Sequence, residues 1–321
     1  MFITAHVGPD GDTLGSMLAL KFAFQKCCPH IQRVDCFISG RMPDVYRFLP
    51  GIQHVVDLET ATDVLEQYDM AISVDCGSLD RLGPAQDLFK GAKQSVNMDH
   101  HISNKNFGGI NVVVPTAAAS GQVIANVLAE AGWPLDADIA TCLYTAIVTD
   151  TGGFKYSNTT AEVFEVTAKL LSAGADPEYI YKELYELRPK CQTLLHAQAV
   201  VNAQYNPDST LAWTQISRQQ LDDLGATDDH VDGIVETLRQ INTVVLSAVF
   251  KENRSGTTKV SLRSDNHAID VAAVMEQFDG GGHKMAAGCT IEAPLQEATD
   301  KVLPLLEAQI REKTKSFAQK P

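Results

Sequence analysis

A two-domain α/β protein is expected from this chain: a mostly parallel-sheet domain first, then a smaller α/β domain with a mixed sheet. Three observations lead there. At 321 residues the chain is long for one typical domain and short for three. Its first half alternates short β-rich runs with helical stretches, the pattern of a parallel sheet covered by helices. From Thr210 the rhythm changes, and two β-rich runs are joined by a short turn as a hairpin.

In chain order, the first domain is predicted to hold strands at 2–6, 34–39, 70–75, 95–98 and 110–114. An apolar-rich helix at 14–27 follows the first strand. Helices at 121–131 and 137–148 flank Trp133-Pro134, and two more at 164–173 and 178–187 follow, with Gly174 as a stop signal and Pro177 as a start. Leu187-Arg188-Pro189-Lys190 breaks the helical pattern, which sets a first domain at 1–187, a linker at 188–204 and a second domain at 205–321. In the second domain a strand at 210–216 precedes helical segments at 218–224 and 230–240. Strands at 243–250 and 257–262 form the hairpin around 252–256. A short helix at 270–277, a glycine cluster, a strand at 288–292 and a closing helix at 296–313 complete it.

Composition bounds the function. Hydrophobic residues at 45% and charged residues at 21% describe an ordinary folded protein and exclude disorder as a global description. The net charge of −14 supplies no basic footprint, so duplex DNA is excluded as a main partner. Residues 1–184 carry 12 Lys and Arg against 22 Asp and Glu, an acidity that bound cations would neutralise. No apolar run reaches the roughly 18 residues a bilayer span needs, and the start lacks a basic region ahead of Pro9-Asp10-Gly11-Asp12. A cytoplasmic protein without a membrane partner is expected. Seven cysteines without a C-x-x-C pair read as reduced and mostly buried thiols.

Four places carry chemistry. His6-Val7-Gly8-Pro9-Asp10-Gly11-Asp12 follows the first strand. Alone it reads as a turn, because Pro-Asp-Gly is a strong turn signature. It matches neither G-x-G-x-x-G nor a phosphate loop, and a calcium loop opening at Asp10 would meet Lys21 where it needs an acid. Asp75 ends a strongly apolar strand, where a carboxylate has to be paired, capping a turn or ligating. Asp99-His100-His101 closes another strand, and Asp150 closes a helical run before Thr151-Gly152-Gly153. Three of the four are strand ends of one sheet, where open α/β sheets build their sites. Imidazoles and carboxylates without a ligating cysteine suit Mn²⁺, Mg²⁺ or Co²⁺, and their number is enough for two divalent cations.

In order and spacing, His6-x-x-x-Asp10-x-Asp12, Asp75, Asp99-His100-His101 and Asp150 resemble the four motifs of the DHH phosphoesterases. Val260-Ser261-Leu262-Arg263-Ser264 and Gly280-Gly281-Gly282-His283-Lys284-Met285-Ala286-Ala287-Gly288 resemble the DHHA1 domain of one branch. The resemblance covers nearly the whole chain and is closest to the small oligoribonucleases that also act as 3′-phosphoadenosine-5′-phosphate (pAp) phosphatases. The family pattern places a helix ahead of the first strand, whereas that strand here begins directly after Met1.

The resemblance implies one Mn²⁺ on His6, Asp10 and Asp75, and a second on Asp12, Asp75, His100 and Asp150, with Asp75 bridging. It implies that a water bridging the ions attacks phosphorus in line with the leaving oxygen. By the same resemblance His101 faces the substrate phosphate and Asp99 orients a histidine. Arg263, Ser264, Gly280, Gly281, Gly282 and His283 are implied to hold a terminal phosphate or carboxylate-like edge; the glycines by themselves read as a tight turn, and the match of the whole cluster puts binding ahead. Asn104 is expected at the substrate, and Ser120 either there or at a helix cap. Substrates would be RNA strands of about two to five nucleotides, measured by the gap between the domains, and small phosphorylated nucleotides. A cyclic or linear dinucleotide phosphodiesterase and a non-catalytic nucleotide-binding regulator are the competing expectations. Homodimer formation is left open.

Overall fold

The computed structural model describes residues 1–266 and 268–317, without the side chains of 313–317. The last four residues of the predicted second domain therefore lie outside the described residues. The chain divides after Leu187 into two units.

In the first unit, strands β1 (Phe2–Ala5), β2 (Asp35–Ile38), β3 (Val55–Asp57), β4 (Met70–Val74), β5 (Gln94–Asp99) and β6 (Ile110–Val113) form a wholly parallel sheet in the order β3-β2-β1-β4-β5-β6. The order reverses between β1 and β4, and open sheets of this kind bind ligands outside the carboxyl ends of the strands at such a switch point. Helices α1 (Gly11–Cys27), α2 (Ala85–Gly91), α3 (Ser120–Glu130), α4 (Ala137–Asp150), α5 (Ala161–Ser172) and α6 (Pro177–Tyr181) accompany it, and a π-turn at Lys182–Glu186 extends α6. One apolar cluster packs Ile3, Leu14, Leu18, Ile72 and Val74 with Leu143 and Ile147, and a second gathers Phe2, Phe37, Tyr68, Leu82 and Phe89.

α1 starts at Gly11, three residues before the predicted start. Asp10 is its N-cap and accepts from Thr13 N at 3.0 Å. The apparent Pro-Asp-Gly turn is therefore a helix entry, and Asp12 sits in the first turn. α1 lies very close to α4: a Cβ on Gly15 would come within 2.3 Å of Cys142 O, and one on Gly11 within 2.5 Å of the Thr149 side chain. A Cβ on Gly121 of α3 would come within 2.5 Å of Ala146 Cβ.

The second unit opens with a correction. Residues 188–204, expected as a linker, contain helix α7 (Lys190–Val201) and the first residue of β7 (Gln204–Tyr205). Pro189 stands at the N-cap of α7, so the break in the sequence begins a helix, and Leu195 and Ala199 are buried with Leu221, Ile234 and Leu238. Next come β8 (Leu211–Ile216), α8 (Arg218–Leu224), α9 (Ile234–Arg239), β9 (Leu246–Glu252), β10 (Thr258–Ser264), α10 (Val271–Met275), β11 (Gly281–His283), β12 (Ala286–Ile291) and α11 (Leu295–Phe317). Its sheet runs β11-β12-β10-β9-β8-β7. It is mixed, because β8 and β9 are parallel and the other pairs antiparallel. The single helix expected at 230–240 is a short 3-10 turn (Asp228–Val231) and then α9, separated by Gly233 at φ 90°. The glycine cluster is a short edge strand pressed on β12, where a Cβ on Gly280 would come within 2.5 Å of Gly288 O.

The cysteines are all free; Cys36, Cys76, Cys142 and Cys289 are buried. Among the described residues no helix is long and apolar enough to cross a membrane.

Candidate active site

β1, β4 and β5 deliver His6, Asp75 and Asp99-His100-His101 to one end of the sheet, while the first turn of α1 delivers Asp12 and the last residue of α4 delivers Asp150. Ligand atoms of His6, Asp10 and Asp75 lie within 4.8 Å of one another, as do those of Asp12, His100 and Asp150, and those of Asp75, His100 and His101. All six residues expected to hold cations are thus brought together, and Asp75 belongs to two of the three groups.

His6, Asp12, Asp75 and His100 are each aimed by a second contact. His6 Nδ1 meets Val7 O at 2.9 Å, and its Nε2 meets Thr13 Oγ1 at 2.9 Å and Asp75 Oδ2 at 3.5 Å. Thr13 Oγ1 donates to Asp75 Oδ2 at 2.9 Å. His100 Nδ1 faces Ala117 O at 3.2 Å, which turns Nε2 toward Asp150 at 3.5 Å, Asp75 at 3.6 Å and Asp12 at 3.8 Å. Orientation through the second ring nitrogen is the usual condition of a ligating imidazole. Asp12 is buried and accepts from Ser120 N at 2.6 Å and Gly121 N at 2.8 Å, placing it on the positive end of α3. Asp75 has φ 51°, an uncommon conformation for a residue other than glycine, and Ser120 Oγ donates to its Oδ1 at 3.2 Å.

The electrostatics are those of a site built around positive charge it does not itself contain. Burial pushes Asp12 well above the ordinary carboxylate range, with Asp75, Asp150 and Asp10 adding to the effect and the Gly121 amide opposing it. Burial also raises Asp150, to about 6, where the opposing pull of His100 is outweighed. Imidazoles, hydroxyls and backbone amides surround these carboxylates, and none of those groups carries a fixed positive charge. Divalent cations remove the repulsion that burial creates, and a donor set of nitrogen and oxygen fits hard or borderline ions. The residues present therefore suit a pair of such ions.

A stability measurement checks this balance. Because Asp150 is raised, the folded protein takes up a proton before the unfolded chain does, and its stability falls as pH rises through about 6. Metal-free Asp150→Asn is expected to exceed the metal-free parent at pH 7.5 by on the order of 1–2 kcal/mol, reduced for partial exposure, with the gap narrowing toward pH 5. Thermal melts at both pH values read it; a gap that does not change with pH would count against the charge account.

Asp99 is fully buried. Its burial works against the charged form but is outweighed by His101 and Asn104, so its carboxyl sits below the ordinary range. His101 Nδ1 meets Asp99 Oδ1 at 2.7 Å, and that bond raises the imidazole against the cost of burial. Asn104, expected at the substrate, donates its amide to Asp99 Oδ2 at 2.5 Å, Asn97 Oδ1 at 2.8 Å and Cys76 O at 3.2 Å, and its own carbonyl accepts from Asn106 N. It holds Asp99 in place.

In the second unit Arg263 lies on β10 with Nε donating to Glu236 Oε1 at 2.8 Å and Nη1 to Leu262 O at 3.0 Å. The register His283↔Ala286 and Ala286↔Arg263 puts His283 in the same cross-strand row. Gly281, Gly282 and His283 are exposed. Ser264 departs from expectation: it is buried, and its hydroxyl donates to Val245 O and Asn266 O and accepts from Asn266 N. Sequence reasoning overlooked Thr13 and the carbonyl of Ala117, whose roles depend on contacts far along the chain.

The histidines and aspartates gathered at the switch point of this parallel sheet are those of the motifs that resemble the DHH phosphoesterases. A DHH family N-terminal domain matches residues 1–147 and a DHHA1 domain matches residues 210–312, and the chain belongs to this family of hydrolases. Among curated relatives it is 30% identical, over 97% of its length and 90% of the relative's, to the bifunctional oligoribonuclease and PAP phosphatase NrnA of Thermus thermophilus. It is 24% identical to the Bacillus subtilis protein of the same name, over 96% of this chain and 93% of that one. The crystal structure of an exopolyphosphatase-related protein from Bacteroides fragilis shares the fold at a TM-score of 0.88 and 23% identity, covering 99% of this chain and 93% of that one.

Proposed function

We propose that the protein hydrolyses short oligoribonucleotides to mononucleotides and removes the 3′-phosphate of pAp, using two divalent cations, with Mn²⁺ preferred. The observation that carries this reading is the sharing of Asp75 between the His6–Asp10 pair and the His100–His101 pair, beside the Asp12–His100–Asp150 group. The names of the relatives support the substrate class. His6, Asp10 and Asp75 would hold one ion, and Asp12, Asp75, His100 and Asp150 the other. Bound there, the ions supply Lewis acidity that activates a water and stabilises charge on the phosphoryl oxygens.

The chain's own residues do the rest. Asp99 holds a proton on His101 Nδ1, which leaves Nε2 as the ring nitrogen not engaged by that bond. An imidazole raised by its carboxylate partner is protonated over a wider pH range, which suits it to protonate the leaving oxygen as the P–O bond breaks. Thr13 and Ser120 fix the two oxygens of Asp75 separately, so the carboxylate cannot rotate away from either side of the site.

The test is a time course on end-labelled RNA from two to about ten nucleotides, with pAp, a cyclic dinucleotide and pyrophosphate alongside, in Mn²⁺ and after chelation. Mononucleotides from the short strands and phosphate from pAp, both lost on chelation, are expected. Turnover no greater than that of Asp75→Asn would leave only nucleotide binding, and faster cleavage of the cyclic dinucleotide would replace the substrate assignment.

A further inference from the structure

Helix α7 turns an uncharged face outward. It buries Leu195, His196 and Ala199 and leaves Leu194 42%, Val200 36% and Val201 82% exposed, with Thr193 and Ala197 exposed beside them. From Cys191 to Pro207 the chain carries no Asp, Glu, Lys or Arg, although charged residues make up 21% of the whole. Other surface helices are built differently: Glu162, Glu165 and Lys169 stand out from α5, and Asp222 and Asp223 from α8. Beyond α7, β7 is the last strand of its sheet, paired only with β8, and Gln204 and Tyr205 are both exposed.

Single apolar residues on a surface are ordinary, but a charge-free helix face beside an open sheet edge is a surface for association. Two properties say what covers it. The first is charge. A cationic partner drawn by the net charge of −14 would seat on carboxylates, and this face has none. A second copy carries the same −14 and is repelled wherever acidic surfaces meet, so it docks where charge is missing.

The second property is symmetry. At 3.6 residues per turn, Thr193, Leu194, Ala197, Val200 and Val201 fall on one arc of about 120° centred on Ala197. A two-fold axis through that centre sets two α7 helices antiparallel and places each residue opposite the one equally far on the other side. Leu194 then meets position 200 of the second copy, Thr193 meets position 201, and the small Ala197 lets the two backbones approach. We infer that α7 is a homodimer interface, in which two copies of this chain join helix to helix about Ala197. The face supplies fewer residues than the roughly 20 to 30 a side of a standard interface, so the dissociation constant is on the order of micromolar.

Sedimentation velocity on the full chain, over a concentration series spanning the micromolar range, reads the equilibrium. The parent is expected to dimerise, and Val201→Glu and Leu194→Glu are each expected to raise the dissociation constant by about thirtyfold or more, the loss of one interface hot spot. Both positions are exposed, and unchanged melting temperatures would confirm that the variants fold. Thr193→Lys/Val201→Glu is the decisive variant. Within one helix these positions lie about 12 Å apart and do not pair, whereas across the axis the new ammonium of each copy meets the new carboxylate of the other, so association is expected to return. A parent that stays monomeric throughout the series would overturn the inference. So would a dimer indifferent to both single substitutions, or one that the double variant fails to restore.

Discussion

Asp75→Asn is expected to reduce turnover of a dinucleotide by about three orders of magnitude, because several kcal/mol of transition-state charge stabilisation disappears when the shared carboxylate is lost. Asparagine is the informative replacement. It tolerates the left-handed backbone that Asp75 adopts and keeps an oxygen for Thr13 or Ser120, so the local fold should survive. Elemental analysis after dialysis should find fewer than two tightly held ions, against close to two in the parent. A variant that kept both ions and lost activity would show that Asp75 acts on the substrate and does not bridge. A variant that kept its activity would remove the basis of the proposed mechanism.

His101→Gln is expected to lower kcat by about a hundredfold to a thousandfold with metal content unchanged, since general acid catalysis contributes on that scale. The loss should depend on the leaving group. An RNA dinucleotide, whose alkoxide needs a proton, should suffer most, and a nitrophenyl phosphodiester, whose leaving group departs as a stable anion, should suffer little. Equal losses on both would assign His101 to charge stabilisation at phosphorus. Asp99→Asn should follow the same leaving-group pattern with a smaller effect, because it removes the partner that raises the imidazole and leaves the imidazole present.

Much of the first unit could be read from the sequence because its strands are short apolar runs that end abruptly in charged residues. His6, Asp75 and Asp99 announce their strand ends by chemistry alone, and the parallel order then has few ways to arrange those ends. Thr13 and Ser120 carry no such signal. A threonine in a first helical turn looks like any helix residue until Asp75, 62 positions away, is folded against it. β3 was overlooked because three residues at a sheet edge have no measurable alternation. Residues 190–201 were misread because Pro189, which ends one helical pattern, also begins the next. Strands β8, β9, β10 and β12 of the second unit were legible from their β-rich runs, whereas β7 and β11 were not, and strand positions say nothing of what Arg263 and His283 hold.

The close approach of α1, α3 and α4 sets the dimensions of the proposed catalytic centre. Asp12 leaves α1 and Asp150 ends α4, and both converge on His100. The interval between them is governed by how closely the helices pack where Gly15 meets the Cys142 carbonyl, Gly11 the Thr149 side chain and Gly121 the Ala146 methyl. A single methyl group added inside that seam would spread the two carboxylates and detune the enzyme without altering any residue of the proposed cation site.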